Sequence, residues 1–178
     1  RDEDSRADRS PGEFYQIDIE MSYVTQDDVF AELELLMVRL FRELSQKKIV
    51  SEVFPRIPFR EAMEKYGTDK PDLRYGLEMV DATSIFAESG LKVFAGAANS
   101  GGAVKVIRAE GVADQSRKFF DDAEAFAKNE GAKGLAWIAL RAGEMKGPIV
   151  KFLSDTEKAA LIEATGAKDG DALFFGAG

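Results

Sequence analysis

From Tyr15 to Tyr23 the sequence alternates without a break: Tyr15, Ile17, Ile19, Met21 and Tyr23 are apolar, while Gln16, Asp18, Glu20 and Ser22 are polar. Successive side chains of a strand point to opposite faces, so this pattern predicts a strand with one face buried. A polar face built of Gln, Asp, Glu and Ser is better suited to binding than the Lys and Thr of an ordinary solvent face. Ahead of it, Arg1 and Glu3 stand two apart and would share one face of a partner strand, with a charged loop containing Pro11 and Gly12 between. The physical reading is a β-hairpin presenting one cation and several carboxylates to a single ligand. On pattern alone a solvated acidic sheet face fits equally.

Composition narrows the chemistry. The chain has 178 residues, 45% of them hydrophobic, enough for one or two compact domains. It contains neither Cys nor His. Disulfides, thiolate nucleophiles and Cys-based zinc sites are thereby excluded, as are the commonest general base and the commonest metal ligand. No run approaches the roughly 20 apolar residues of a membrane span, and a secretory signal is not expected. A reducing, cytoplasmic setting is the expectation. Residues 1–90 hold 12 basic and 20 acidic side chains, whereas residues 91–178 hold 12 of each. Overall acidity argues against a nonspecific nucleic-acid binder, DNA included, so any RNA contact must be local and geometric.

Along the chain, Thr25 followed by Asp28 predicts a capped helix over Gln26–Leu44, with Phe30, Leu33, Met37, Leu40 and Leu44 at helical spacing. Lys47–Phe54 reads as a short strand and Phe59–Tyr66 as an amphipathic helix stopped by Gly67. Thr68–Asp72 is a polar, Pro-anchored turn. Further on, Lys92–Ala95, Val104–Ala109, Leu135–Leu140, Ile149–Phe152 and Ala172–Phe175 read as strands. Helices are predicted over Ser116–Glu130, with Phe119, Phe120, Ala123, Phe126 and Ala127 inward, and after Ser154, whose capping-box partner is Glu157. The fold class is α+β, two helices against a mainly antiparallel sheet in the second half.

Three ordered blocks resemble one family. RDEDSRADRSPGEFYQIDIEMSYV is similar to motif 2 of the class II aminoacyl-tRNA synthetases, and most closely of the bacterial aspartyl-tRNA synthetases. FPRIPFREAMEKYGTDKPDLRYGLEM, residues 54–79, resembles the segment that follows motif 2. GAKGLAWI, KGPIVKFL and DGDALFFGAG resemble the GAD insertion domain of the bacterial type. The resemblance implies part of a class II antiparallel sheet over residues 1–78 and a small α+β GAD-like domain over 79–178.

It also implies roles. Arg1 matches the motif 2 arginine that contacts the α-phosphate of ATP and the amino-acid carboxylate, and is the candidate catalytic residue. Asp2, Glu3 and Phe14 join it in binding ATP, Glu3 accepting from the adenine amino group and Phe14 stacking on the ring. Asp18, flanked by Gln16, matches the carboxylate that holds the α-ammonium of L-aspartate. Asp4, Arg6 and Arg9 lie in the loop that enters the acceptor stem of tRNA. Ser10 stands where many relatives have Gln and Gly12 is an extra residue, so the resemblance assigns those two positions no contact.

Adenylate formation needs little proton transfer by the protein. It needs positioning and neutralised charge, which a site without His or Cys can supply. The implied partners are tRNA(Asp), with tRNA(Asn) left open, L-aspartate and a second copy in a homodimer. Magnesium is implied too, on ligands elsewhere. The chain begins on a functional arginine and reads as an internal segment, not expected to aminoacylate alone. Two alternatives remain: a tRNA-binding, GAD-containing module of a tRNA-dependent amidotransferase subunit, and a non-catalytic synthetase paralogue.

Overall fold

The computed structural model describes residues 15–178. The chain divides into two compact units, Arg1–Arg56 and Ile57–Gly178. The second begins ahead of the 78/79 boundary drawn from the resemblance, because the helix at 59–66 packs against the first strand of the sheet.

In the first unit, helix α1 spans Gln26–Leu44 as its periodicity requires. The Thr25 hydroxyl accepts from the Asp28 N–H at 3.4 Å, and the Asp28 carboxylate accepts from the Thr25 N–H at 2.7 Å. The Thr25 N–H and then its hydroxyl hold the Asp28 carboxyl below its ordinary value. Asp27 and Asp28 in the first turn and Arg42 in the last complement the helix dipole. Yet no α1 residue is buried.

The strand expected at Lys47–Phe54 is not formed. Ser51 instead hydrogen-bonds the backbone of Val53 from both sides, accepting from its N–H at 3.2 Å and donating to its carbonyl at 2.9 Å. Such local bonds compete with a ladder. Ion pairs Arg42–Glu52 and Arg56–Glu34 fasten this tail to α1, and the Arg56 guanidinium lies 4.5 Å from the Phe30 ring centroid.

The second unit opens with α2 (Phe59–Tyr66), ended by Gly67 in the left-handed region. There follow β1 (Met79–Asp81), α3 (Lys92–Asn99), β2 (Val104–Ala109), α4 (Arg117–Asn129), β3 (Ala136–Arg141), β4 (Glu144–Lys146), α5 (Asp155–Thr165) and β5 (Ala172–Ala177). The strands form one antiparallel sheet in the order β1-β2-β5-β3-β4. This is an α+β fold, as expected. β1 and β4 escape a reading by periodicity, each being three residues long.

Two expected strands are helical. Lys92–Ala95 begins α3, because Phe94 must reach the core, where it packs edge-on against Phe86 at 4.9 Å. Ala95, Ala97 and Ala98 favour the helix, and packing overrides the strand preference of Val93 and Phe94. At Ile149–Phe152 a 3-10 turn forms over Val150–Phe152. Ile149 and Leu153 are both buried while Lys151 between them is exposed. A strand would turn Lys151 inward with them.

One sheet face carries the main core of Val104, Val106, Ile138, Leu140, Leu173 and Phe175, covered by α3, α5 and the 83–86 turn. On the other face, Phe120 of α4 stacks on Trp137 at 4.2 Å and on Phe174 at 5.8 Å. Contrary to expectation Phe119 and Phe126 are not inward, and Phe126 is 68% exposed. Gly102 closes the β2–β5 end: a Cβ there would lie 2.3 Å from the Gly178 carbonyl oxygen, which accepts from the Ala103 N–H.

Asp171, 5% exposed, immediately precedes β5. Its carboxylate accepts from Arg108 Nε at 2.7 Å, the Lys168 N–H at 2.9 Å and the Gly111 N–H at 3.1 Å. Burial alone would raise its pKa; the two backbone N–H groups and the Arg108 guanidinium outweigh burial and lower it. Its stabilising effect is therefore complete above the ordinary Asp value of about 3.9 and vanishes as pH falls through the depressed value. Asp171→Ala should cost about 3 kcal/mol in urea unfolding at pH 7. The loss should shrink as pH falls below the ordinary Asp value and through the depressed one; a cost independent of pH would contradict this account.

The β3–β4 connection turns on Ala142 and Gly143, at φ 53° and 77°, between the paired Arg141 and Glu144. Both central residues of such a turn need positive φ, which favours Asn-Gly. Ala142→Asn should stabilise the chain by about 0.5–1 kcal/mol in thermal unfolding; destabilisation would contradict the turn assignment.

Candidate functional site

The alternating segment forms no ladder with any other described residue. Residues 15–21 have no paired strand among the described residues, and a strand depends on a neighbour for its hydrogen bonds. The expected burial of one face is only partial. Tyr15 and Tyr23 are fully exposed, while exposure falls from Ile17 through Ile19 to Met21, which is 39% exposed. The alternation nonetheless has its physical consequence. Ile17, Ile19 and Met21 line a groove of about 590 Å³ together with Val29, Glu32, Leu33 and Leu36 of α1. Ile17, Ile19 and Met21 face this groove, and all residues from 15 to 24, the polar Gln16, Asp18, Glu20 and Ser22 included, are exposed.

The chain reverses between this segment and α1. Tyr23 adopts φ 60°, the left-handed region, two residues before the Thr25 cap. Among the described residues no ion pair engages Asp18 or Glu20. An exposed carboxylate pair suits an ammonium ligand. The other candidates, Arg1, Asp2, Glu3, Asp4, Arg6, Arg9 and Phe14, lie outside the described residues.

In the second unit, the polar turn after α2 is closed on itself. Asp72 caps the 3-10 turn Leu73–Tyr75 through the Arg74 N–H, and its carboxylate receives Arg74 Nε at 2.7 Å and the neighbouring guanidinium nitrogen. These contacts, the guanidinium first, hold the Asp72 carboxyl at about 2. Lys70 pairs with Asp69 at 3.0 Å, and Tyr66 donates to Glu78 at 3.0 Å. The charges here are spent on shaping the turn, as a Pro-anchored turn would require. A separate groove of about 720 Å³ runs past Tyr75, Leu77, Glu78, Arg108, Glu110 and Thr165. Arg108 in it is already shared between Asp171 and Glu110. Sequence alone gave no sign of the left-handed turn at Tyr23, because nothing but Gly, Asn or Asp announces such a conformation.

Among the described residues no three acidic side chains converge on a point that would hold a metal ion. No described helix is long and apolar enough to cross a membrane.

Comparison with known proteins fits this arrangement. Residues 94–178 match the GAD domain, a span that takes in β2, β3, β4, β5, α4, α5 and nearly all of α3. The whole chain is 53% identical over 179 residues to the aspartate–tRNA ligase of Streptomyces griseus, of which it covers 29%. It is 50% identical over 178 residues to the aspartate–tRNA(Asp/Asn) ligase of Chlorobaculum parvum, covering 30% of that protein. Identity to the corresponding ligase of Chlorobium phaeobacteroides is 52%, again over the whole chain and 29% of the relative. The chain thus spans about three-tenths of the length of the curated relatives it matches. The chain thus carries a GAD domain over residues 94–178 and is similar along its full length, at about half of all positions, to a segment of aspartate–tRNA ligases.

Proposed function

We propose that the protein bearing this chain activates L-aspartate with ATP and transfers the aspartyl group to tRNA(Asp), with tRNA(Asn) as a second acceptor open to test. The observation that carries the reading is the identity to ligases through residues 1–93, ahead of the GAD match, combined with the exposed Gln16–Asp18 face. A GAD-bearing adaptor would have no use for that face, so the ligase reading is favoured over the amidotransferase module.

In this reading residues 1–78 belong to the catalytic domain and 79–178 to the insertion domain. The substrate carboxylate attacks the α-phosphorus of ATP and pyrophosphate leaves. The protein contributes position and charge. Asp18 receives the α-ammonium of aspartate and Gln16 lies beside it. The planar fork of Arg1 bridges the α-phosphate and the attacking carboxylate, a role its geometry suits. Asp2 and Glu3 complete the nucleotide contacts and Phe14 stacks on adenine. Asp4, Arg6 and Arg9 meet the acceptor end of tRNA. ATP is a substrate. Magnesium, held by ligands elsewhere in the protein, would neutralise phosphate charge; no cluster of three acidic side chains among the described residues would hold it. A homodimer in the cytoplasm completes the proposal.

In the full-length protein, Arg1→Ala should slow aspartate-dependent ATP–pyrophosphate exchange by about 3–4 kcal/mol, the scale of losing an oxyanion donor. Asp18→Asn should raise the KM for aspartate roughly thirtyfold, about 2 kcal/mol, with a smaller effect on the KM for ATP. Exchange within a few-fold of wild type in both variants would count against the assignment.

A further inference from the structure

Tyr23 is the one bulky residue among the described residues in the left-handed region, at φ 60°. That conformation is disfavoured for any residue with a Cβ, and for a large side chain it is a genuine outlier. Its ring is fully exposed, so no burial of the ring offsets the strain. The conformation is imposed from both sides. Behind it, Ile19 and Met21 line one wall of the groove whose other wall is Val29, Leu33 and Leu36. Ahead of it, the reciprocal Thr25–Asp28 bonds fix the start of α1. Ser22, Tyr23 and Val24 are all that lies between. The extended run from Ile17 to Met21 covers about 13 Å, and Val29 to Leu36 about 10 Å of helix, so the two walls lie side by side. To come back along the helix it is about to enter, the chain must reverse within three residues, and a left-handed residue does this.

We propose that Tyr23 is a positioning residue: its left-handed backbone decides which face of residues 15–21 turns away from α1, and so presents Gln16 and Asp18 to the substrate amino acid. Because side chains alternate, rotating the segment about its axis would exchange the faces and bury the carboxylates against Leu33 and Leu36. The backbone does this work; the hydroxyl and ring are dispensable. The inference rests on the assignment of Asp18 to the substrate ammonium.

The test uses the full-length protein and aspartate-dependent ATP–pyrophosphate exchange, with Tyr23→Val, Tyr23→Gly, Tyr23→Phe and Asp18→Asn. β-Branched Val resists positive φ, and Tyr23→Val should raise the KM for aspartate about tenfold while kcat and the KM for ATP stay within about threefold. Gly accepts positive φ freely and Phe keeps the ring, so both should stay within about twofold of wild type for aspartate. If Asp18→Asn raises the KM for aspartate and Tyr23→Val leaves it within twofold, the positioning role is overturned and the aspartate assignment stands. If Tyr23→Gly raises it as Val does, the ring rather than the backbone is responsible, and the inference fails. That comparison decides the matter even if the Val variant does not fold. If Asp18→Asn has no effect on the KM for aspartate, the assignment itself falls and takes the inference with it.

Discussion

Asp171 is the only charged or polar side chain buried among the described residues, and the sheet is organised around it. Its carboxylate gathers Arg108 at the end of β2, the Gly111 turn and Lys168 of the loop after α5. Its own carbonyl accepts from the Leu140 N–H of β3 at 2.9 Å, and Gly170 beside it donates to the Leu140 carbonyl. β5 starts at the next residue and is the central strand of the order β1-β2-β5-β3-β4. Without it the sheet would part into two pairs of strands. A buried carboxylate is tolerable only when it is paired and hydrogen-bonded, which makes this junction specific to one register. The covering helices follow from that register. It exposes Phe175 and Leu173 to α3 and α5 on one face, and Trp137 and Phe174 to Phe120 of α4 on the other.

The first unit obeys a different constraint. α1 carries an apolar stripe on one face, yet Leu33, Met37, Leu40, Phe41 and Leu44 of that stripe are all exposed. Its order comes from its ends and from its clamps. The Thr25–Asp28 capping box fixes the start, and the Arg42–Glu52 and Arg56–Glu34 pairs bind the tail to its flank. What the extended segment contributes is orientation. Its apolar edge is drawn to the helix groove, so its polar edge is left to solvent and to a ligand.

Much of this was legible from the chain because the signals were local. Both capping boxes, the bounds of α1 and α2, and the Gly67 stop depend on residues within one turn of each other. What escaped depended on tertiary context. α3 looked like a strand until Phe94 had to meet Phe86 and Phe175. Helical spacing pointed Phe119 and Phe126 inward with Phe120, but the sheet offers α4 only a small aromatic patch, and one Phe fills it. The candidate site divided in the same way. Its polar face was plain in the alternation of Tyr15–Tyr23, whereas its lack of a ladder with any described residue and the left-handed turn at Tyr23 were invisible to a reading of periods. Arg1 and the loop behind it carry their assignments from resemblance alone.

The account as a whole turns on what the exposed carboxylate face receives. A crystal structure of the full-length protein with a non-hydrolysable aspartyl-adenylate analogue tests this directly. The account predicts an Asp18 carboxylate oxygen within about 3 Å of the analogue's α-ammonium, the distance of a charge-assisted hydrogen bond, with Ile17 and Ile19 still turned to α1. An ammonium held by other groups, with Asp18 in solvent or folded against the helix, would contradict it.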